Sequence, residues 1–181
     1  MFSRVSPYAL AFIACGIALS LSGCSGNPFK KEPAKPCPSV AMAADTANLT
    51  QFKPGPGRDI TDVDVQAEII SFVGSCGYKK DNVELTLQLV IAATRGPANT
   101  SRKVEFAYFI AVPAFFPAPA AKEVLPVSIE FPEGMNQVRY RDGEVTMTIP
   151  LQPGELADKY EVYVGMQLTP AQLEYNRQIR R

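Results

Sequence analysis

The chain has no histidine and no tryptophan among its 181 residues. Without histidine it lacks the commonest general base and the commonest transition-metal ligand. A Ser-His-Asp triad and any histidine-bearing zinc site are therefore excluded. An excess of charge is missing too: 18 Lys and Arg stand against 18 Asp and Glu. That balance offers no basic footprint for nucleic acid. The motifs GxSxG and Ser-x-x-Lys are absent, and Lys53-Pro54-Gly55-Pro56-Gly57 lacks the Gly-Lys-Ser/Thr ending of a phosphate loop, so it reads as a turn cluster. Asp59, Asp62 and Asp64 could offer oxygens to calcium, but not at EF-hand spacing. They read instead as a solvated strand start, with Asp62 and Asp64 on its outer face. These absences describe a protein that is not an enzyme and carries neither cofactor nor metal.

What is present begins with an address. Arg4 precedes an uncharged apolar run, Tyr8 to Leu21. That run is too short for a comfortable membrane span, which needs about 20 apolar residues, and it fits the central region of a signal peptide. It ends in Leu21-Ser22-Gly23-Cys24. This tetrapeptide resembles the lipobox of bacterial lipoproteins. The resemblance covers residues 1–24 and implies cleavage before Cys24, a diacylglycerol on its sulfur and acylation of the new N-terminus. Loss of 1–23 removes Arg4 alone, leaving 17 basic and 18 acidic residues. Ser25, where enterobacterial lipoproteins kept in the inner membrane carry Asp, favours the outer membrane by the same resemblance. Residues 24–36 then read as the lipidated cysteine and a polar, proline-bearing tether.

Of four cysteines, Cys15 leaves with the leader and Cys24 is the expected lipid site. Cys37 and Cys76 remain, two thiols in an oxidising compartment, where a disulfide is the expected state. Closing a loop of that length stabilises a fold by about 3–4 kcal/mol in the chain-entropy account. The pair would join the start of the domain to the end of an early strand.

From residue 37 onward the pattern has period two, the mark of strands with one buried face. Val83, Leu85, Leu87, Leu89, Ile91 and Ala93 share a face in 82–94; similar runs occupy 103–112, 124–131, 144–151 and 159–168, with shorter ones at 40–42 and 137–141. In 62–73 the apolar phase slips by one residue, from Ile69 to Ile70 and Phe72, which predicts a β-bulge or a strand that turns a corner. Breakers such as Arg95-Gly96-Pro97, Asp142-Gly143 and Pro153-Gly154 separate the runs. The pattern predicts an all-β, antiparallel β-sandwich of about seven or eight strands, immunoglobulin-like or fibronectin-like, spanning 37–181. A helical tail is expected from about 169, where Thr169-Pro170 reads as an N-cap and first turn. Leu173 and Asn176 would share a face there, with Ile179 nearby.

Two features suggest a partner surface. Residues 112–121, VPAFFPAPAA, have no polar side chain, and Phe115 and Phe116 would either cap the core or form an exposed apolar rim. Arg177, Arg180 and Arg181 would either end a helix lying on the sandwich, where cations suit the dipole, or form a basic arm. In overall plan, a tether followed by a small β domain, the chain resembles proteobacterial envelope lipoproteins, and that resemblance implies no activity. The expectation is a protein anchored to a membrane through Cys24 on the periplasmic side, acting as a binding or scaffold module for an envelope protein. The alternative is a small-molecule or ion carrier that binds between the sheets.

Overall fold

A computed structural model describes residues 33–118 and 121–179. The chain divides into Met1–Ala34 and Lys35–Arg181, and the architecture below is that of the second unit. The leader, Cys24, residues 25–32 of the tether, Pro119, Ala120, Arg180 and Arg181 lie outside the described residues.

The body is the expected all-β sandwich. Its strands are β1 (Ser39–Met42), β2 (Asn48–Phe52), β3 (Val63–Tyr78), β4 (Asn82–Arg95), β5 (Lys103–Ala111), β6 (Lys122–Glu130), β7 (Gln137–Arg141), β8 (Val145–Pro150) and β9 (Glu161–Met166), followed by helix α1 (Pro170–Ile179). One sheet runs β1-β9-β5-β6; the other runs β2-β3-β4-β7, with β8 also on β4. Strands β7 and β8 pair with successive halves of β4 in the same direction, so they form one long edge strand interrupted at 142–144. The sheets are antiparallel except at β1–β9, which is parallel. Strand β2 exceeds the expected count.

The alternation of β4 explains its place at the centre of its sheet. Val83, Leu85, Leu87, Leu89, Ile91 and Ala93 are all buried, while the residues between them are half-covered. The expected slip in β3 is a bulge: Ile69 pairs with Ile91 and Ser71 with Val90, which leaves Ile70 without an opposite number. Before it the odd-numbered residues face the core; after it Phe72, Cys76 and Tyr78 do. The extra residue lets a 16-residue strand keep its apolar side inward as the sheet twists. Facing β4 across the interlayer are Tyr108, Ile110, Val162, Val164 and Met166, all fully buried. Side chains fill the space between the sheets.

Strand direction gives the sandwich two ends. At the proximal end lie the first described residues, the β3–β4 turn, the β5–β6 connection and the 151–160 crossing. At the distal end lie 53–62, 96–102 and 131–136. Gly96 is required at the distal end because a Cβ there would run into the backbone carbonyl of Val63. Among the described residues no helix is long and apolar enough to cross a membrane.

Candidate functional site

The proximal end is where the chain joins the body. Cys37 and Cys76 form a disulfide with Cα atoms 5.7 Å apart, and it fixes the start of the body to the end of β3. Two residues on, the Tyr78 hydroxyl donates to the Pro36 carbonyl at 2.6 Å and accepts from the Ala157 amide at 2.8 Å. The Lys35 ammonium lies 5.1 Å from the Tyr78 ring centre, within cation–π range. The body thus begins at Lys35, slightly before the expected boundary at residue 37.

The two phenylalanines of the apolar loop part company. Phe115 packs on the core and against Tyr160, with ring centres 5.1 Å apart. Phe116 is 82% exposed. Pro113, Ala114, Pro117 and Ala118 around it are exposed as well, and the Phe116–Pro117 peptide is cis. Phe115 therefore answers to the capping expectation and Phe116 to the exposed rim.

At the C-terminus Thr169 and Gln172 form a capping box. The Gln172 amide donates to Thr169 Oγ1 at 3.3 Å, and Gln172 Oε1 accepts from the Thr169 amide at 2.8 Å, satisfying two donors at the helix start. The helix packs on β2: Tyr175 meets Phe52 edge-on at 5.2 Å. Asn176, buried, donates to the carbonyls of Asp45 and Asn48 at 3.0 and 2.8 Å. Arg177 Nε donates to Asp45 Oδ2 at 3.3 Å, so its charge is paired at the surface. Ile179, expected near the face of Leu173 and Asn176, is 62% exposed. It borders an open groove of about 310 Å³ on the outer sheet face, lined also by Thr50, Gln66, Glu68 and Thr94. Glu68 is the only charged side chain in that lining.

The three aspartates do not form a cluster. Asp62 sits not on a solvent face but in a 3-10 turn, Ile60–Asp62, just before β3, and is buried. It accepts from the Asp59 amide at 3.2 Å and pairs with Lys53 Nζ at 2.8 Å. The Lys53 bond, then the Asp59 amide, hold its carboxyl below the usual range, and the same pairing raises Lys53. Asp64 instead receives Asn99 Nδ2 at 2.9 Å. Among the described residues no three His, Cys, Asp or Glu side chains are placed to hold a metal.

No family model, curated protein or solved structure matches this chain. Its function has to be argued from the geometry alone.

Two polar centres have no counterpart in the sequence reading. Tyr108 on β5 donates to Asp142 Oδ2 at 2.6 Å, and Tyr140 on β7 donates to Asp142 Oδ1 at 3.1 Å. The Tyr108 bond crosses from one sheet to the other. Burial, then the bond to Asp142, pushes the Tyr108 hydroxyl far above its ordinary value, and the same causes raise Tyr140. Both hydroxyls hold their protons at neutral pH and act as donors, so the trio is a latch. At the distal end Asn99 is 6% exposed. Besides Asp64 it donates to the Lys103 carbonyl at 3.2 Å and accepts from the Arg102 amide at 2.8 Å. That bond accompanies Arg102 in a left-handed conformation, φ 61°, from which its guanidinium reaches the Phe131 carbonyl at 2.7 Å. Only the expected breaker Asp142-Gly143 and the turn at Arg95-Gly96-Pro97 hinted at these places.

Proposed function

We propose that this protein is a lipid-anchored binding module of the cell envelope. Acylated at Cys24, it keeps a rigid β-sandwich close to a bilayer, by the sorting resemblance that of the outer membrane, and presents its distal loops to another envelope protein. The observation that supports this reading is the single-ended attachment: Lys35, Pro36 and Cys37 are all bonded to one end of the sandwich. A tether joined there leaves the loops of the opposite end clear of the attachment point. The bonding states of Tyr108, Asp142, Asn99 and Asp62 favour binding over chemistry, because each polar group already serves the fold.

Intact-mass analysis of the protein purified from bacterial membranes tests the anchor. The expected species begins at Cys24, carries acyl groups and has Cys37 and Cys76 oxidised. A chain that begins elsewhere, or holds a free thiol at Cys24, overturns the reading. For the partner, a photo-crosslinking residue at Ile60, 78% exposed in the distal loops, is expected to trap one recurrent envelope protein. Recovery of uncrosslinked monomer alone, in repeated trials, counts against a binding role.

A further inference from the structure

We propose that the loop 112–118 is a bilayer-contacting element, with Phe116 inserted among the lipids beneath the anchored protein. This rests on the anchor at Cys24 and adds a second membrane contact to it.

Position is the first argument. The loop is tied through Phe115 and Tyr160 to the end where Pro36 and Cys37 are fastened. Only residues 25–34 would separate Cys24 from Lys35, a stretch reaching at most about 35 Å when fully extended. The proximal end is therefore the part of the body that the anchor holds nearest the lipid.

The second argument is the loop's own bonding. Apolar surroundings penalise any backbone donor left unpaired. Here the amides of Phe115, Phe116 and Ala118 donate to the carbonyls of Val112, Pro113 and Phe115 at 3.0, 3.0 and 2.8 Å. Pro113 and Pro117 have no N–H to satisfy. The segment also has no polar side chain, so that among its backbone donors the Ala114 amide is the one that would give up a bond to water. Phe115, anchored in the core, gives the exposed Phe116 a rigid base.

Size and charge favour lipid over protein. One loop with a single large side chain falls well below the 1,200 Å² or so that specific protein interfaces bury. Around it, Lys79 pairs with Glu84 and Lys159 with Glu155, while Lys122 lies over the Phe109 ring next to Glu123. This neutral rim calls for zwitterionic lipid and needs no anionic headgroup.

The chain's lack of tryptophan supplies the test. Full-length Phe116→Trp protein, acylated in bacteria and reconstituted into phosphatidylcholine vesicles, is compared with Ile60→Trp at the distal end. Brominated acyl chains are expected to quench Phe116→Trp at least twofold and to leave Ile60→Trp unchanged. Acylated protein in which both variants are quenched alike, or neither is, overturns the loop's role and leaves the anchor standing. Protein without acyl groups overturns the anchor and this proposal with it. The vesicles contain no other protein, so a loop meant for a protein partner would remain unquenched.

Discussion

The two ends of the sandwich are held in different ways. The proximal end relies on a covalent bond, one tyrosine hydroxyl, a loop bonded through its own backbone and, in the 151–160 crossing, the Glu155 carboxylate that accepts from the Gln152 amide and the Tyr160 hydroxyl. The distal end relies on polar side chains that bridge loops: Asn99 with Asp64 and Arg102, Arg95 with Asn136, and Lys53 with Asp62. Loops whose backbones satisfy themselves leave side chains free to be apolar. Loops stitched by side chains must spend polar residues on the fold. Exposed apolar side chains nonetheless occur at both ends, Phe116 and Leu156 at the proximal one and Ile60 and Met135 at the distal one; only at 112–118 do they form a segment with no polar side chain.

The largest test of that contrast is chemical reduction, or Cys37→Ser with Cys76→Ser. Either is expected to lower stability by about 3–4 kcal/mol, read as a shifted urea midpoint. Next, Asn99→Ala removes a bond to the half-buried Asp64 carboxylate and leaves the Arg102 amide without its acceptor, and is expected to lower stability by about 2–3 kcal/mol. Combining it with the cysteine changes should give the sum of the two losses, because the sites are at opposite ends. A combined loss well short of the sum would show that the ends do not act separately.

Between them, Tyr108→Phe is expected to cost about 1–2 kcal/mol at neutral pH. The raised proton affinity of Tyr108 in the fold means its stabilising effect is full below the ordinary tyrosine value of about 10. It is lost as pH climbs from there toward the folded value. Alkaline titration of stability should therefore fall less steeply in Tyr108→Phe than in the parent. At the acid side Asp62 behaves oppositely: its contribution is full above the usual carboxylate range and disappears as pH falls through its lowered folded value. Lys53→Met should flatten that acid limb, measured by thermal melts between neutral and strongly acidic pH. The smallest effect belongs to Phe116→Ser, expected to change stability by less than about 0.5 kcal/mol because the side chain is exposed. A larger loss would mean that Phe116 supports the fold and is not held out for a membrane.

The fold was readable wherever one face of a strand meets water. The alternation of β4 and the phase slip at Ile69–Ile70 each correspond to an observed feature. Strand β2 was hidden because it is covered on both sides: Leu49 faces the core, while Thr50, on the opposite face, is buried where α1 packs over the strand. Two adjacent buried residues erase a period of two. The Asp142 latch was illegible because its partner Tyr108 is 34 residues away and belongs to the other sheet. The role of Asn99 was illegible because its partners include main-chain atoms, which leave no trace in side-chain pattern. Phe115 and Phe116, adjacent and chemically identical, could not be assigned opposite fates until the bonding of their loop was known.

The disulfide also decides where mechanical load would travel. A pull arriving along the residues before Lys35 reaches Cys37 and is shunted into the end of β3, which is paired there with the central strand β4. The short parallel strand β1, which follows Cys37 and has a neighbour on one side only, is spared from being peeled away. Force applied there thus loads the long β3–β4 ladder and not the four-residue edge strand.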